Sequence, residues 1–420
     1  MRAMLTPRAM VPQDLIRIRF VTDPRISPDG RTVAFVLTTL SDDKDEYLSN
    51  IWVVSTAGGE PRRFTTGPRR DTSPRWSPDG SRLAFISERE PGKKGQLHVM
   101  PAAGGEATRL TDLRHGLSAP EWSPDGTRLA FAARVGGPPE PESEEDKRKS
   151  KPSRVITTMK YRFNGEGFTY DRRSQVFVVA ADGGEPRQLT EGDHDHVDPV
   201  WSPDDRWIAF VTDRAGPSQV FRKPAQGLGE EELIFETEMQ LRMNDWSPDG
   251  RHLSLGVLDN DSDTDLDVAL YDLEDDELEI LAQSPFFDSF GAFSPDGRWL
   301  AYVSSDSGQL EVFIVPVGGG VGRFQVSTAG GLHPQWEPGG TKLYYVNPLV
   351  ELMEVDLDLQ DGVEIGLPRK LFDIRHPYTE NRPFQVMPDG ESFLTVQLER
   401  EVRGGALTLV QNWVELLSRD

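Results

Sequence analysis

A five-residue box that recurs along the chain constrains the fold more than any other feature. The box places a large apolar residue before a Ser-Pro-Asp-Gly turn, as in "WSPDG" at Trp76. Its eight copies begin at Ile26, Trp76, Trp122, Trp201, Trp246, Phe293, Trp336 and Val386. Successive copies are 50, 46, 79, 45, 47, 43 and 50 residues apart, so one spacing is much longer than the rest. This pattern predicts eight repeated units with one insertion.

Each unit has the pattern of four short β-strands. The box residue ends a first strand, and proline followed by Asp and Gly forms a tight turn, because proline fixes φ while Asp and Gly tolerate the bent positions. A second strand alternates in the manner of "RLAFIS" (82–87), and a third resembles "QLHVMP" (96–101). A Gly-Gly turn leads into a short fourth strand. In the fourth box Asp205 replaces the glycine, and we expect it to adopt the left-handed conformation that Asp tolerates.

Four-stranded units of about 40–50 residues stack radially as the blades of a β-propeller. We therefore predict an all-β chain in which residues 1–420 form one propeller of eight four-stranded blades, with seven blades as the alternative. The last unit offers three strands, at 384–387, 392–398 and 406–413. Residues 15–21 could close the ring by supplying a strand to that unit, or could form a short helix that starts near Pro12.

The long spacing holds an insertion in blade three. Residues 135–153 are rich in Pro, Glu and Lys and poor in apolar residues, which is typical of a mobile exposed loop. Residues 154–171 contain two strand-like runs around Asn164-Gly165, a strong signal for a β-hairpin. We expect this hairpin to project from the blade.

The composition narrows the classes of partner and compartment. The formal net charge is −23, which disfavours nucleic acid and anionic membranes as partners. The chain has no cysteine, so it has no thiol nucleophile and no Cys-based zinc site. No stretch is long and apolar enough to cross a membrane, and Pro7, Arg8 and Pro12 interrupt the N-terminal segment. We expect a cytoplasmic protein that needs no cofactor.

The repeat and its insertion carry a resemblance to a known family. The stretch "TMKYRFNGEGFTYDRRSQVFVVAADGGEPRQLTEGDHDHVDPVWSPDDRWIAF" resembles the N-terminal propeller of the prolyl oligopeptidase family, above all its acylaminoacyl-peptidase-like branch. This resemblance spans roughly residues 10 to 290. From Phe293 onward, the chain is more similar to the TolB-like propellers found beside bacterial serine/threonine kinase domains.

The resemblance implies a module that filters substrates rather than a catalytic domain. In the peptidases the propeller filters substrates, and a separate α/β-hydrolase domain carries the catalytic triad. This sequence lacks the Gly-x-Ser-x-Gly elbow of such a domain, since "GLSAP" (116–120) and "GPSQV" (216–220) have no second glycine. We expect a non-catalytic module that binds a protein or peptide, and a separately encoded catalytic subunit is a possible partner.

Histidines that precede the boxes offer an alternative function. They are His115, His194, His196, His333 and His376. Imidazoles from different blades could converge with carboxylates such as Asp198 on a divalent metal. TolB-like propeller lyases use channel histidines in this way, so the alternative is a metal-dependent lyase or hydrolase with His194, His196, His333 and His376 as ligands.

The projecting hairpin supplies the second group of candidate binding residues. Tyr161, Arg162, Phe163 and Glu166 combine aromatic and charged side chains, a mixture favoured at protein interfaces. The hypothesis that they contact a partner competes with a purely structural role as turn residues. Under the binding hypothesis, His194, His196, Asp198, His333 and His376 complete the predicted contact surface without any metal.

Overall fold

A computed structural model provides the three-dimensional structure. It describes residues 19–41, 46–90, 92–137, 156, 162–163, 167–169, 171–216, 218–258, 266–281, 289–319, 322–360, 362–374 and 383–396. Strands follow one another as antiparallel sheets along these ranges, and the described residues include no helix. Accordingly, no helix among them has the length and apolar character needed to span a bilayer.

The first four sheets each contain four strands. Sheet 1 comprises β1 (Arg19–Ile26), β2 (Thr32–Leu40), β3 (Tyr47–Ser55) and β4 (Arg62–Arg63), and sheet 2 comprises β5 (Asp71–Trp76), β6 (Arg82–Ser87), β7 (Gln96–Pro101) and β8 (Thr108–Arg109). Sheet 3 comprises β9 (Glu121–Trp122), β10 (Arg128–Gly136), β13 (Arg172–Ala180) and β14 (Arg187–Gln188), with β11 (Arg162–Phe163) and β12 (Gly167–Phe168) inserted as a separate pair. Sheet 4 comprises β15 (His196–Trp201), β16 (Trp207–Thr212), β17 (Ser218–Pro224) and β18 (Glu232–Thr237).

The later sheets continue this order. Sheet 5 comprises β19 (Gln240–Trp246), β20 (His252–Leu258), β21 (Leu266–Asp272) and β22 (Glu277–Ile280), and sheet 6 comprises β23 (Ser289–Phe293), β24 (Trp299–Ser304), β25 (Glu311–Pro316) and β26 (Phe324–Gln325). Sheet 7 comprises β27 (Leu332–Trp336), β28 (Lys342–Val346), β29 (Glu351–Asp358), β30 (Glu364–Ile365) and β31 (Arg369–Asp373). The described part of sheet 8 is the pair β32 (Phe384–Val386) and β33 (Phe393–Thr395).

The core lies between neighbouring sheets. Ala84 and Leu97 of sheet 2 belong to one buried cluster with Leu129, Phe131 and Phe177 of sheet 3. Because each sheet is covered on both faces, consecutive residues of a second strand are buried, where a one-faced sheet would alternate. Burying each large apolar side chain contributes about 1.5–3 kcal/mol. The stacked arrangement is that of a β-propeller, as the sequence predicts.

The box turn has its own hydrogen bonds. In the second sheet, Ser77 Oγ donates to Asp79 Oδ1 over 2.6 Å and accepts from the Arg82 amide over 3.0 Å. Hydrogen bonds from Ser77 and Ser81 lower the pKa of Asp79 to about 2. In the fourth sheet Asp205 has φ 62°, which confirms the predicted left-handed conformation.

The box turns stack on one another around the ring. A Cβ atom at Gly80 would lie 3.5 Å from Pro28 Cδ of the preceding turn, and one at Gly126 would lie 3.4 Å from Pro78 Cδ. The first turn in the chain stacks in the same way on the last, since a Cβ atom at Gly30 would lie 3.4 Å from Pro388 Cδ. Sheet 1 therefore packs against sheet 8. The described sheets match the repeat, and the exact number of blades stays a prediction.

The structure corrects the predicted role of the N-terminal segment. Residues 19–21, the described part of the proposed closing strand 15–21, pair with Leu37–Thr39 of β2 within sheet 1. Their alternation belongs to the innermost strand of the first sheet, which runs on into the first box. The alternative helix near Pro12 and the predicted strand at 406–413 lie outside the described residues.

The insertion begins later than the sequence suggests. Val135 and Gly136, which the composition places in the mobile loop, extend β10 and pair with Arg173 and Arg172. Residues 138–153, the rest of that loop, lie outside the described ranges. At the position predicted for the hairpin, β11 and β12 pair antiparallel across residues 164–166.

Candidate functional site

The innermost strands of several sheets share a bulge just before the box. In sheets 1, 2, 4 and 7, two residues oppose one residue of the second strand. The first of these two has a positive φ, namely 46° at Asp23, 54° at Ser73, 52° at Asp198 and 55° at His333, and the second is always proline. Proline fits there because a bulge leaves one amide outside the ladder. The bulges change the direction in which the last side chains of these innermost strands point.

Charged side chains from these strand ends gather around the central channel. We call this group the channel belt: Asp23, Arg25, Arg75, Glu121, Asp198, Arg242 and Asp245. Asp23 accepts a hydrogen bond from Arg25 Nε over 2.7 Å and another from Arg75 Nη1 over 2.9 Å. Since these residues come from five sheets, their interactions show that the strand ends face one common space.

Glu121 stands immediately before the third box and has an unusual environment. Its side chain is exposed to solvent, although the protein around it removes part of its hydration. This desolvation raises the pKa of Glu121, an effect that Arg75 opposes and that Asp245 and Asp198 reinforce. The Glu121 carboxylate is therefore held at an energetic cost.

Asp198 occupies the bulge of the next sheet. Its Oδ2 atom is buried and lies 3.6 Å from Arg242 Nη1, beyond hydrogen-bond distance. Desolvation raises the pKa of Asp198, and Arg242 opposes this shift. A backbone hydrogen bond from Met243 opposes the shift as well, so Asp198 is a desolvated carboxylate with partial compensation.

A cavity of about 600 Å³ opens beside this pair. Its wall comes from sheets 3, 4 and 5, including Glu121, Arg134, Asp195, Asp198 and Met243. The volume lies in the range of pockets that bind small organic ligands or a few residues of a peptide. Glu121 and Asp198 connect the cavity to the channel belt.

The remaining charges of the cavity are largely engaged with one another. Asp195 Oδ1 accepts a hydrogen bond from the Ser174 amide over 2.7 Å and lies 3.5 Å from Arg134 Nη1. Arg172 lies 3.5 Å from Asp171. Lys94 lines the cavity as an exposed residue and has no side-chain partner among the described residues. The cavity is thus polar, and each of its carboxylates, Glu121, Asp195 and Asp198, is influenced by an arginine.

The predicted histidines have separate surroundings. His196 is fully buried, and its Nε2 accepts a hydrogen bond from Arg214 Nη2 over 3.1 Å. Burial and the Arg214 charge lower the pKa of His196. His194 contributes its carbonyl to Gln175 Nε2 over 3.1 Å, and His333 is the bulge residue of sheet 7. His376 lies outside the described residues.

The structure brings few of these residues to one place. Across the described ranges, no three His, Asp or Glu side chains form a group that could hold a metal ion. His115 lines the cavity, where its Nε2 lies 3.0 Å from Gly136 O and burial lowers its pKa. The metal site with His376 stays an untested prediction. Of the binding residues predicted from the sequence, Asp198 is the one that lines the cavity.

The hairpin candidates are only partly described. Arg162 and Phe163 form β11 and pair with Phe168 and Gly167. Tyr161 and Glu166 lie outside the described residues. A role for these four residues in partner contact stays a prediction.

Sequence reasoning missed Glu121, Arg134 and Lys94. Glu121 does carry a signal, because it directly precedes a box tryptophan, where Arg25, Arg75 and Asp245 stand in other copies. Charged residues at a position that should be covered between blades indicate a channel-facing site. Arg134 and Lys94 carry no comparable signal, since Arg134 lies on the second strand of sheet 3 and Lys94 lies in the loop before β7.

Solved peptidase structures share this architecture. Acylaminoacyl peptidase from Pyrococcus horikoshii superposes with a TM-score of 0.54 at 16% identity, covering 88% of this chain and 55% of that chain. The propeller domain of the Trilobed protease from Pyrococcus furiosus gives 0.51 at 14% identity, covering 85% and 97%. At these identities the likeness shows the fold.

Curated relatives match over shorter segments. "Uncharacterized peptidase YuxL" of Bacillus subtilis (strain 168) is 35% identical over 201 residues, which are 47% of this chain and 30% of the relative. "Uncharacterized protein Atu1656" of Agrobacterium fabrum is 32% identical over 161 residues, 33% of this chain and 52% of the relative. The chain thus matches only part of the length of either relative.

The family comparison covers more than half of the chain. The model of the TolB β-propeller domain matches residues 18–162 and 167–289. This match agrees with the repeated sheets and with the resemblance to peptidase propellers. The chain belongs to the TolB β-propeller family, and its fold is that of the propeller domains of acylaminoacyl and prolyl peptidases.

Proposed function

We propose that this propeller is a non-catalytic module that binds peptides in the cavity beside its channel. The observation that carries the proposal is the 600 Å³ cavity, whose wall includes two carboxylates of the channel belt. A peptide segment entering the channel would pass this wall. The relation to peptidase propellers supports a peptide as the ligand.

The geometry favours recognition over chemistry. The cavity contains Ser118 and Ser174 as hydroxyl side chains. Ser118 Oγ accepts a hydrogen bond from the Ala132 amide over 2.9 Å, which engages it in holding the strand edge. The imidazole of His115, which lines the cavity, is engaged in a hydrogen bond with the Gly136 carbonyl. We propose that the bound peptide is passed to a peptidase, on the same polypeptide or on a separate subunit.

Filling the cavity tests this function. Ala119 is exposed and lines the cavity, so Ala119→Trp should occupy it without disturbing the core. Ala103 is exposed in the turn between β7 and β8, away from the cavity, and Ala103→Trp is the matched control. Binding of synthetic ten-residue peptides with free or acetylated N-termini would be measured by calorimetry. We expect Ala119→Trp to abolish binding and Ala103→Trp to leave it unchanged.

Two outcomes would contradict the proposal. One is that the unmodified protein binds neither kind of peptide. The other is that both tryptophan variants bind as the unmodified protein does, which would move the site away from the cavity.

A further inference from the structure

We propose that one end of sheet 1 binds an acidic, partly apolar segment of a partner protein. This surface lies at the end of the sheet opposite the box turn. We call it the arginine ledge and define it by five residues: Phe20, Tyr47, Arg63, Arg69 and Arg70. None of these residues lines the cavity, so the inference does not depend on the proposed function.

The wall of the arginine ledge is an aromatic face that projects beyond sheet 2. β2 and β3 are nine residues long, whereas β6 and β7 of sheet 2 are six. Ile51 of β3 packs into a buried cluster with sheet 2, and Tyr47 lies on the same face. Phe20 pairs with Thr38, whose partner Ser49 shares that face. Because sheet 2 ends earlier, Phe20 is 45% exposed and Tyr47 is 49% exposed.

The floor of the arginine ledge is the connection from sheet 1 to sheet 2. Residues 61–70 read "PRRFTTGPRR" and contain four arginines and no acidic residue. The Ser49 amide donates to Arg69 O over 3.0 Å, so the connection runs along β3. Arg70 Nε donates to Tyr47 O over 3.4 Å. The arginines thus lie beside the exposed aromatic wall.

The guanidinium groups of the arginine ledge have no carboxylate partner. Arg63 Nε donates to Thr65 O over 2.8 Å, and its Nη2 donates to Gly67 O over 3.3 Å. The Arg69 guanidinium forms no hydrogen bond within the described part of the chain. None of the three arginines forms an ion pair with a described carboxylate. Their remaining N–H donors are available to a ligand.

This lack of ion pairs contrasts with the rest of the molecule. The chain has 69 acidic and 46 basic residues, so carboxylates are in excess. Arginines that do pair with a carboxylate include Arg82, Arg173, Arg251 and Arg323. Asp71 directly follows Arg70, but its side chain is fully buried, and the exposed Glu46 forms no ion pair. The arginine ledge therefore keeps a local positive charge.

An acidic protein segment with apolar side chains fits this surface. The planar guanidinium group matches a carboxylate through two parallel hydrogen bonds. Tyr and Arg are the side chains that contribute most to protein interfaces. The net charge of −23 repels a long polyanion such as nucleic acid. A short acidic segment responds mainly to the nearby arginines, because charges more than about 8 Å away are screened at physiological ionic strength.

Two synthetic peptides and one DNA strand test this partner chemistry. The acidic peptide is about ten residues long and has glutamates interspersed with leucine and serine, and the neutral peptide has glutamine in place of each glutamate. The third probe is a short single-stranded DNA of comparable charge. Fluorescence anisotropy of the labelled probes would measure binding. We expect the acidic peptide to bind at least about tenfold more tightly than either of the others.

Surface variants locate the binding site. Arg70→Gln and Tyr47→Ser change exposed side chains, so both proteins should fold, which thermal melting would verify. Each should weaken binding of the acidic peptide about fivefold. Arg31→Gln is the matched control, because Arg31 is exposed and without an ion pair, but follows the box turn at the other end of sheet 1. It removes the same charge and should leave binding unchanged.

Several results would overturn the inference. One is that the acidic peptide does not bind, or binds no better than the neutral peptide. Another is that Arg70→Gln weakens binding no more than Arg31→Gln does. Tighter binding of the DNA, lost in Arg70→Gln, would assign the surface to nucleic acid instead.

The cavity variant separates this inference from the proposed function. Ala119→Trp fills the cavity and should leave binding of the acidic peptide unchanged. If Ala119→Trp abolishes that binding, the acidic peptide occupies the cavity and the arginine ledge is wrong. If Ala119→Trp has no effect and Arg70→Gln weakens binding, the ledge is supported whether or not the cavity binds peptides.

Discussion

Sheets 4 and 5 have the same box but use it differently. Trp201 and Trp246 each precede Ser-Pro-Asp and are equally buried, at 6% exposure. Trp201 Nε1 donates 3.3 Å across the interface to Glu121 O of sheet 3, whereas Trp246 Nε1 donates to its own turn. An identical motif therefore joins one pair of sheets through its indole and leaves the next pair without that bond.

The difference coincides with the residues just before the box. Sheet 4 has Asp198-Pro199, with a two-residue bulge and a left-handed Asp198. Sheet 5 has Met243-Asn244, and its register shift falls between Met243 and Asp245. Both bulges insert one extra residue, but the bulge of sheet 5 lacks the proline and the left-handed residue. The residues three and two positions before the box tryptophan therefore distinguish one interface from the next more than the box itself does.

The largest expected effect comes from placing glycine at the same position of both sheets. Met243 is 7% exposed in the core, and Met243→Gly should lower the free energy of unfolding by about 3 kcal/mol through the lost packing. Asp198 has φ 52°, so Asp198→Gly should relieve backbone strain and raise that free energy by about 0.5 kcal/mol. Chemical denaturation measures both. A loss of stability in Asp198→Gly would show that the left-handed conformation of Asp198 carries no strain.

The indole bonds are compared by replacing each tryptophan with phenylalanine. Both changes remove similar apolar area, so their difference reports the hydrogen bond. Trp201→Phe leaves the Glu121 carbonyl without its donor between two sheets, and we expect it to cost about 1 kcal/mol more than Trp246→Phe. In Trp246→Phe, water can replace the donor at the turn carbonyl of Gly250. Equal unfolding free energies for the two variants would refute a structural role for the bond between sheets.

The smallest expected effect concerns the residues directly before two boxes. Desolvation raises the pKa of Glu121, so the native state binds a proton more tightly than the unfolded chain does. Stability is then lost as pH rises from the ordinary range of a glutamate through the raised pKa. Glu121→Gln should melt at a higher temperature than the unmodified protein at pH 7, and the difference should vanish in acid.

The charges facing Glu121 set the control for this measurement. They are Arg75, Arg25, Asp198 and Asp245. Asp245→Asn removes the equivalent charge from sheet 5 and should shift the melting temperature less, because the desolvation that acts on Glu121 stays in place. A lower melting temperature for Glu121→Gln at pH 7 would show that Arg75 outweighs the desolvation.

Much of the fold could be predicted from the sequence, because the boxes and the alternating strands are local signals. The bulges could not be predicted, because the two-residue alternation of a strand does not reveal an inserted residue. The prolines at 24, 74, 199 and 334 are the sequence signal that marks them. The binding role of the histidines upstream of Trp201 stays a prediction. His196 is a buried partner of Arg214, while Asp198 reaches the cavity. Such assignments depend on contacts between sheets, which no single strand encodes.

The contact of Gly30 with Pro388 makes the stack of box turns circular. An open repeat array can fray from either end, because its terminal units each have one neighbour. In a closed ring every unit has two, so the loss of any one sheet disrupts two interfaces at once. The contacts between sheets then depend little on where the chain ends lie. New termini in the Gly58-Gly59 or Gly183-Gly184 turns would leave the same neighbouring sheets in contact.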